Sequence, residues 1–300
     1  MENMTALVSA FARAYHCRNS ASPVFADPLA ERLLTEEEYA AIARHMAEGV
    51  QYFAPGFSGT REEALALIVA RQLAPSVLAR SAFCKRAVEN AVRIGCRQVA
   101  VFACGYDTFS LRTKEKSLSV FNLDRPEMIA DRQARIARGR LRPACRAAAV
   151  GCDLSQAAWR DALLHAGFQP EKQAFGSLLG VSYYLSKAEF GRLIGGISSI
   201  WAEGSALCFD YPLSKDGAKS RRNRELAAAA GEPMKAAYAY DELEALLAGA
   251  GFLIFEHLSA GEAARAFFTE HNRHSPVFTM AAPEGVAYCL AVKKGACLPR

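Results

Sequence analysis

The stretch Val99-Ala-Val-Phe-Ala-Cys-Gly-Tyr-Asp-Thr108 runs from apolar residues into a turn. An expected strand enters a turn at Gly105, and a helix starts at Asp107 or Thr108. Glycine lets a ligand approach the backbone, and a helix N-terminus offers unpaired N–H groups. Alone, the pattern also fits an ordinary strand–turn–helix. Three more segments add to it. The expected strand Ser119–Leu123 ends in Asp124, where an acid can hydrogen-bond ribose hydroxyls. Cys152-Asp153-Leu154 follows the next strand, and Leu178-Leu-Gly-Val-Ser-Tyr-Tyr-Leu185 ends the one after. Four consecutive strand ends of this kind describe one crevice along the carboxyl edge of a sheet, where open α/β sheets bind ligands. Any one acid could simply cap a helix. Together they point to a nucleoside-type ligand.

Two such ligands differ in their demands. A dinucleotide must seat a pyrophosphate, which favours a turn with three glycines. Only Gly105 is present here. S-adenosyl-L-methionine has no phosphate and asks for partners to two ribose hydroxyls, an adenine, an ammonium and a carboxylate. One glycine and several strand-end acids suit it better, so a nicotinamide-dependent oxidoreductase is the weaker alternative.

The elements that must position these residues alternate after residue 97. Strands are expected at Gln98–Ala103, Ser119–Leu123, Ala147–Val150, Ala174–Gly180, Ser205–Asp210, Phe252–His257 and Val286–Val292. They are short and lack strict alternation, as in a parallel sheet buried on both faces. Helices are expected at Glu127–Arg138, Ser155–Ala166, Lys187–Ile200 and Asp241–Ala250, with Ser155 and Asp241 as N-caps and Gly167 and Gly251 as stops. The implied fold class is a doubly wound α/β layer. Residues 1–97 read as a helical cap of the same unit: Met4–Tyr15, Pro28–Leu33, Glu36–Gly49, Arg61–Ala74 and Ser76–Ile94. Residues 98–300 form the core, with a lid insertion near 214–235. Lys215, Lys219, Arg221, Arg222 and Arg224 cluster there, as a solvated helix face or as a basic lid attracting an acidic substrate.

The 300 residues are half hydrophobic with a formal charge of +5, as in an ordinary globular protein. The charge is spread out, which speaks against nucleic acid as a partner. No apolar run reaches membrane-spanning length, and no signal peptide is read at the N-terminus, so a cytoplasmic, non-membrane protein is expected. The nine cysteines include no CxxC pair; they read as packed thiols, with no metal site. Oligomeric state is left open.

The sequence resembles the leucine carboxyl methyltransferase family, in particular its bacterial branch of S-adenosylmethionine-dependent O-methyltransferases, which includes polyketide carboxyl methyltransferases. The likeness spans roughly Ala10 to Leu213. It rests on Phe11-Ala-Arg-Ala-Tyr-His16, Phe25-Ala-Asp-Pro-Leu29, Arg80-Ser-Ala-Phe83, Arg97 to Thr108, Val120-Phe-Asn-Leu-Asp-Arg-Pro126, Gly151-Cys-Asp-Leu154 and Leu179-Gly-Val-Ser-Tyr-Tyr-Leu185. The resemblance implies a class I methyltransferase fold: a Rossmann-like seven-stranded sheet, its last strand antiparallel, beneath an N-terminal helical cap. It also implies S-adenosyl-L-methionine as cofactor and S-adenosyl-L-homocysteine as product. By the same resemblance Asp124 holds ribose, with Arg125 beside it. Asp153 and Leu154 contact adenine. Arg80 holds the methionine carboxylate, and Arg13 closes over the same end. Ala103, Cys104, Gly105 and Asp107 form the first turn, and Leu179 and Gly180 the fourth strand end.

Three positions depart from the family pattern. Ala103 stands where its first turn glycine is expected, Asn122 replaces an acid two residues before Asp124, and Leu179 replaces a glutamate. A catalytically degenerate member that binds cofactor or a partner is therefore a further alternative. For the acceptor, a carboxylate is ionised at neutral pH and needs no base, whereas a phenol gains from one. The sequence offers no clear base. His16 lies in the cap motif as a candidate. Tyr183 and Tyr184 are expected beside the methyl group, and Asp210 and Tyr211 near the acceptor pocket. The expected acceptor is a carboxylate, or a phenol, on a small acidic molecule.

Overall fold

The protein is described by a computed structural model, which covers residues 4–214 and 233–295. Strands β1 (Gln98–Phe102), β2 (Ser119–Asp124), β3 (Arg146–Gly151), β4 (Ala174–Leu178), β5 (Ala206–Pro212), β6 (Phe252–Leu258) and β7 (Val286–Lys293) form one sheet in the order β3-β2-β1-β4-β5-β7-β6. β3, β2, β1, β4 and β5 are parallel neighbours. β7 runs antiparallel between β5 and β6. This is the seven-stranded α/β arrangement expected. The chain order reverses between β1 and β4, which opens the crevice at their carboxyl ends.

Side-chain alternation explains the layering. Val99 and Val101 of β1 face one apolar cluster with the N-terminal helices, while Ala100 and Phe102 face another with Trp159 and Trp201. The first cluster spans cap and sheet without a break, from Phe11 and Phe83 to Tyr288. The cap comprises α1 (Met4–Asn19), α2 (Glu36–Glu48), α3 (Val50–Phe53), α4 (Arg61–Ile68) and α5 (Ala74–Arg93). Thr35 with Glu38 and Thr60 with Glu63 start α2 and α4 as reciprocal capping boxes. The expected helices Arg61–Ala74 and Ser76–Ile94 are joined by a π-helical turn at Val69–Leu73. Pro75 has no N–H and would clash with a carbonyl one turn back, and the wider turn ahead of it accommodates the ring.

The remaining differences are local. Short helix α6 (Phe109–Arg112) follows the first turn, and α7 (Pro126–Arg138) follows β2. The helix expected from Ser155 begins instead at Trp159, as α8 (Trp159–His165). The Asp153 carboxylate accepts the Ser155 N–H at 2.9 Å and folds the chain into a turn first. α9 (Lys187–Ile200) is capped by Ser186. Residues 260–274, read as no element, form a run of short helices against α5. The basic cluster from Lys215 to Arg224 lies outside the described residues. No helix among the described residues is long and apolar enough to cross a membrane.

Candidate functional site

A cavity of about 510 Å³ opens at the carboxyl ends of β1, β2 and β4 under α1 and α5. Its floor is the turn after β1. Both Ala103 (φ 47) and Gly105 (φ 46) are left-handed there. Gly105 can hold this conformation without strain; Ala103 pays for its Cβ. Backbone bonds fix the turn: Cys104 N–H donates to the Leu123 carbonyl at 2.9 Å, and Asp107 N–H to the Cys104 carbonyl at 2.8 Å. Burial pushes the Cys104 thiol pKa well up, so it packs as a neutral group.

Asp124 ends β2 and lines the cavity. Its Oδ2 accepts the Gly105 N–H at 2.8 Å and its Oδ1 the Arg125 N–H at 2.8 Å. Burial raises its pKa, against the lowering by those two N–H groups. A carboxylate has about four acceptor positions, so two are left for hydroxyl groups of a ligand. Arg125 lines the rim and pairs with Glu127 at 3.3 Å.

The two arginines sit differently. Arg13 Nε pairs with the fully buried Asp27 at 2.9 Å, and its Nη2 donates to the Tyr106 carbonyl at 2.7 Å. Arg80 lies across Gly180 (φ +70), where an added Cβ would stand 2.6 Å from its Nη1. Its nearest acceptors are Asp210 at 3.8 Å and the Ser9 hydroxyl at 3.5 Å. Gly180 is held by its N–H donating to Asp210 Oδ1 at 2.7 Å.

Tyr184, Leu179, Gly180 and Asp107 line the same cavity. Asp153 and Leu154 do not. Asp153 is exposed beyond β3, and Leu154 lines a separate groove of about 250 Å³ that meets the cavity at Val181. Tyr183 points the other way, into the protein, where its hydroxyl donates to Asp210 Oδ2 at 2.9 Å. Burial and the nearby Asp210 push its pKa well up. His16 is also outside the cavity lining. Its Nε2 accepts the Val24 N–H at 2.9 Å, and burial first, then His271, lowers its pKa to about 4. It is a neutral packing residue with its acceptor nitrogen engaged. Asp210 is fully buried beneath Gly180, and Tyr211 is fully buried against His257. Neither reaches the cavity surface.

Sequence reasoning missed two contributors. Asp27 was visible only as part of a motif, yet it gathers Arg13, Thr108 (2.7 Å) and Arg112 (3.4 Å) and so ties the cap to the first turn. Lys235 lines the cavity opposite that turn; its place at the end of a basic polar stretch was the only signal. Among the described residues that line the cavity there is no histidine.

The arrangement fits S-adenosyl-L-methionine. Asp124 keeps acceptor positions for two hydroxyls, Arg80 keeps donors for a carboxylate, and the missing Cβ of Gly180 lets the Arg80 guanidinium lie against the turn. The volume is in the range of small-molecule sites.

Known proteins agree with this reading. The model of the family described as leucine carboxyl methyltransferase matches residues 6–198. YktD of Bacillus subtilis, whose name carries an inferred S-adenosyl-L-methionine-dependent methyltransferase activity, is 34% identical over 97% of this chain and 98% of its own. A protein of Mycobacteroides abscessus with the same inferred activity is 30% identical over 68% of this chain and 66% of its own. Two crystal structures share the fold. A protein of Thermobifida fusca, titled as an inferred methyltransferase, aligns with TM-score 0.55 at 14% identity over 88% of this chain and 93% of that one. A DUF574 family protein of Streptomyces avermitilis aligns with TM-score 0.56 at 16% identity over 95% and 97%. The chain belongs to the leucine carboxyl methyltransferase family and is an S-adenosyl-L-methionine-dependent methyltransferase.

Proposed function

We propose that the protein methylates a carboxylate on a small acidic molecule. The observation that carries this reading is the lining of the cavity: it presents Arg80 and Lys235 but, among the described residues, no histidine. Once Arg80 holds the methionine carboxylate, Lys235, its ammonium 3.7 Å from Glu189, is left to favour an anionic acceptor. The cofactor supplies an electrophilic sulfonium methyl group, and an ionised carboxylate accepts it without giving up a proton. The protein's part is then to bind and align. Asp124 holds ribose hydroxyls, Arg80 holds the methionine carboxylate, and the groove at Leu154 and Val181 takes the adenine. Tyr184 and Lys235 orient the acceptor oxygen. A phenol acceptor would need a base at the same place, and His16 is engaged elsewhere.

The test pairs binding with product chemistry. Calorimetric titration with S-adenosyl-L-homocysteine should show binding that Asp124→Ala loses. Turnover with a panel of carboxylic acids and phenols should then give products that release methanol in mild alkali, as esters do. Alkali-stable methyl ethers would overturn the carboxylate reading.

A further inference from the structure

Helix α5 lies across β5 in a matched register. Arg80 faces Asp210 at 3.8 Å. One helical turn on, Cys84 meets Cys208, two residues back along β5. Four residues of helix rise about 6 Å and two residues of strand about 6.6 Å, so the two contacts are successive rungs of one interface. Burial first, and then a side-chain hydrogen bond with Cys84, push the Cys208 pKa well up. A bond with that effect has the Cys208 S–H as donor and the Cys84 sulfur as acceptor.

The two thiols differ in access. Cys208 is fully buried in the apolar cluster between cap and sheet. Cys84 is half-buried and lines a flank groove of about 540 Å³, which meets the crevice at Ser81 and Ser177. Cys289 of β7 pairs in register with Phe209 and faces the opposite cluster, with Trp159 and Trp201. A small oxidant in the groove therefore reaches Cys84 first, with Cys208 directly behind it.

We propose that Cys84 and Cys208 are a redox-sensitive pair, which hydrogen peroxide converts to a disulfide that displaces Arg80 and weakens cofactor binding. The Cys84 sulfur attacks one peroxide oxygen. An S–O bond forms, the O–O bond breaks, and the departing hydroxide leaves as water with the Cys84 proton. The Cys208 sulfur then attacks the sulfur of that sulfenic acid. The S–S bond forms, the S–O bond breaks, and the hydroxyl leaves as a second water with the Cys208 proton. The thiols give up two electrons, and the peroxide is reduced by two. An S–S bond is about 2.05 Å, well inside hydrogen-bonding distance, so closing it draws α5 toward β5. Arg80 has no slack to absorb the movement. Its guanidinium lies against Gly180, where an added Cβ would stand 2.6 Å from Nη1, and Gly180 is fixed by Asp210. The effect on binding rests on the reading of Arg80 as partner of the methionine carboxylate.

The test treats the full chain with hydrogen peroxide and follows two readouts: disulfide-linked peptides by mass spectrometry, and affinity for S-adenosyl-L-homocysteine by calorimetry. A Cys84–Cys208 linked peptide should appear. Affinity should fall on the order of tenfold, part of what a charge-assisted bond to a carboxylate is worth. Dithiothreitol should restore it. Cys84→Ser should show neither the link nor the loss. Cys208→Ala should leave a sulfenic acid on Cys84, captured by dimedone, and keep its affinity. Absence of the linked peptide overturns the inference, as does a loss of affinity that persists in Cys84→Ser. A linked peptide with native affinity overturns the coupling to Arg80. Arg80→Met then separates the causes: if that variant also binds as the native protein does, the reading of Arg80 has failed rather than the pair.

Discussion

Asp27 and Asp210 are both fully buried, and each faces an arginine of the cap. Their surroundings part from there. Asp27 bonds Arg13 directly at 2.9 Å, and the rest of that guanidinium is spent on the Tyr106 carbonyl. Asp210 is satisfied by other groups, the Gly180 N–H and the Tyr183 hydroxyl, and stands 3.8 Å from Arg80. A buried carboxylate close to a guanidinium makes a clamp; one held slightly back makes an oriented cation with donors to spare. Both arginines carry the same expectation from sequence, a role at the methionine end of the cofactor. Both arginines line the crevice, but Arg13 is bound into the joint between cap and sheet, whereas Arg80 has no carboxylate within 3.5 Å.

The comparison breaks most visibly at Asp27. Asp27→Ala leaves Arg13 buried without its carboxylate, and removing one partner of a buried pair costs about 3–5 kcal/mol. Urea denaturation should show a loss of this size; a loss under about 1 kcal/mol would mean Arg13 finds other partners. The second prediction concerns Arg80. Arg80→Met should lower affinity for S-adenosyl-L-homocysteine about 100-fold, since charge-assisted bonds to a carboxylate are worth roughly 1.5–3 kcal/mol. Its unfolding midpoint should move far less than that of Asp27→Ala. Arg13→Met should show the opposite pattern. If both arginines cost affinity alike, the distinction between clamp and ligand partner fails.

These differences explain what could be read in advance. The strands were legible because burial on both faces leaves runs such as Val99–Phe102 with no polar interruption. The crevice was legible because its markers, Gly105 and Asp124, sit at strand ends where local sequence sets the geometry. The fate of a polar side chain was not legible, because it depends on distant partners. Nothing near Arg13 in sequence announces Tyr106, and nothing near Tyr183 announces Asp210 27 residues away. The helix start expected at Ser155 failed for the opposite reason, through the carboxylate of Asp153. That group bonds a neighbour, Ser155, and the local competition delays the helix to Trp159.

His16 tests the same division between packing and site. Its ordinary pKa of 6.5 falls to about 4 in the fold. The unfolded chain therefore takes up the proton first as pH falls. The stabilisation from the neutral ring is complete above about pH 6.5 and is lost as pH drops toward 4. Between pH 7.5 and 5 this amounts to about 2 kcal/mol. His16→Gln keeps an acceptor for the Val24 N–H but cannot titrate. Native protein should lose stability faster than the variant over that interval, and His271, 4.9 Å away, is common to both. Parallel curves would show that the ring is solvated, and would reopen a role for it in the crevice.

The smallest effect is expected at Ala103, where the first turn compares with itself. Ala103 and Gly105 share nearly the same left-handed φ, 47 and 46, but only one has a Cβ to strain. Left-handed backbone costs a residue with Cβ roughly 1–2 kcal/mol, and glycine returns about 0.5–1 of that as lost chain entropy. Ala103→Gly should therefore raise stability by about 0.5 kcal/mol. Gly105→Ala should lower it by a similar amount, since its new Cβ would meet only the Ala6 methyl at an ordinary 3.5 Å. Affinity for S-adenosyl-L-homocysteine separates strain from obstruction. If Ala103→Gly changes affinity only a few-fold, about 1 kcal/mol at most, the methyl merely strains the turn. A tenfold or larger gain would mean that Ala103 narrows the floor of the crevice where the cofactor approaches the backbone.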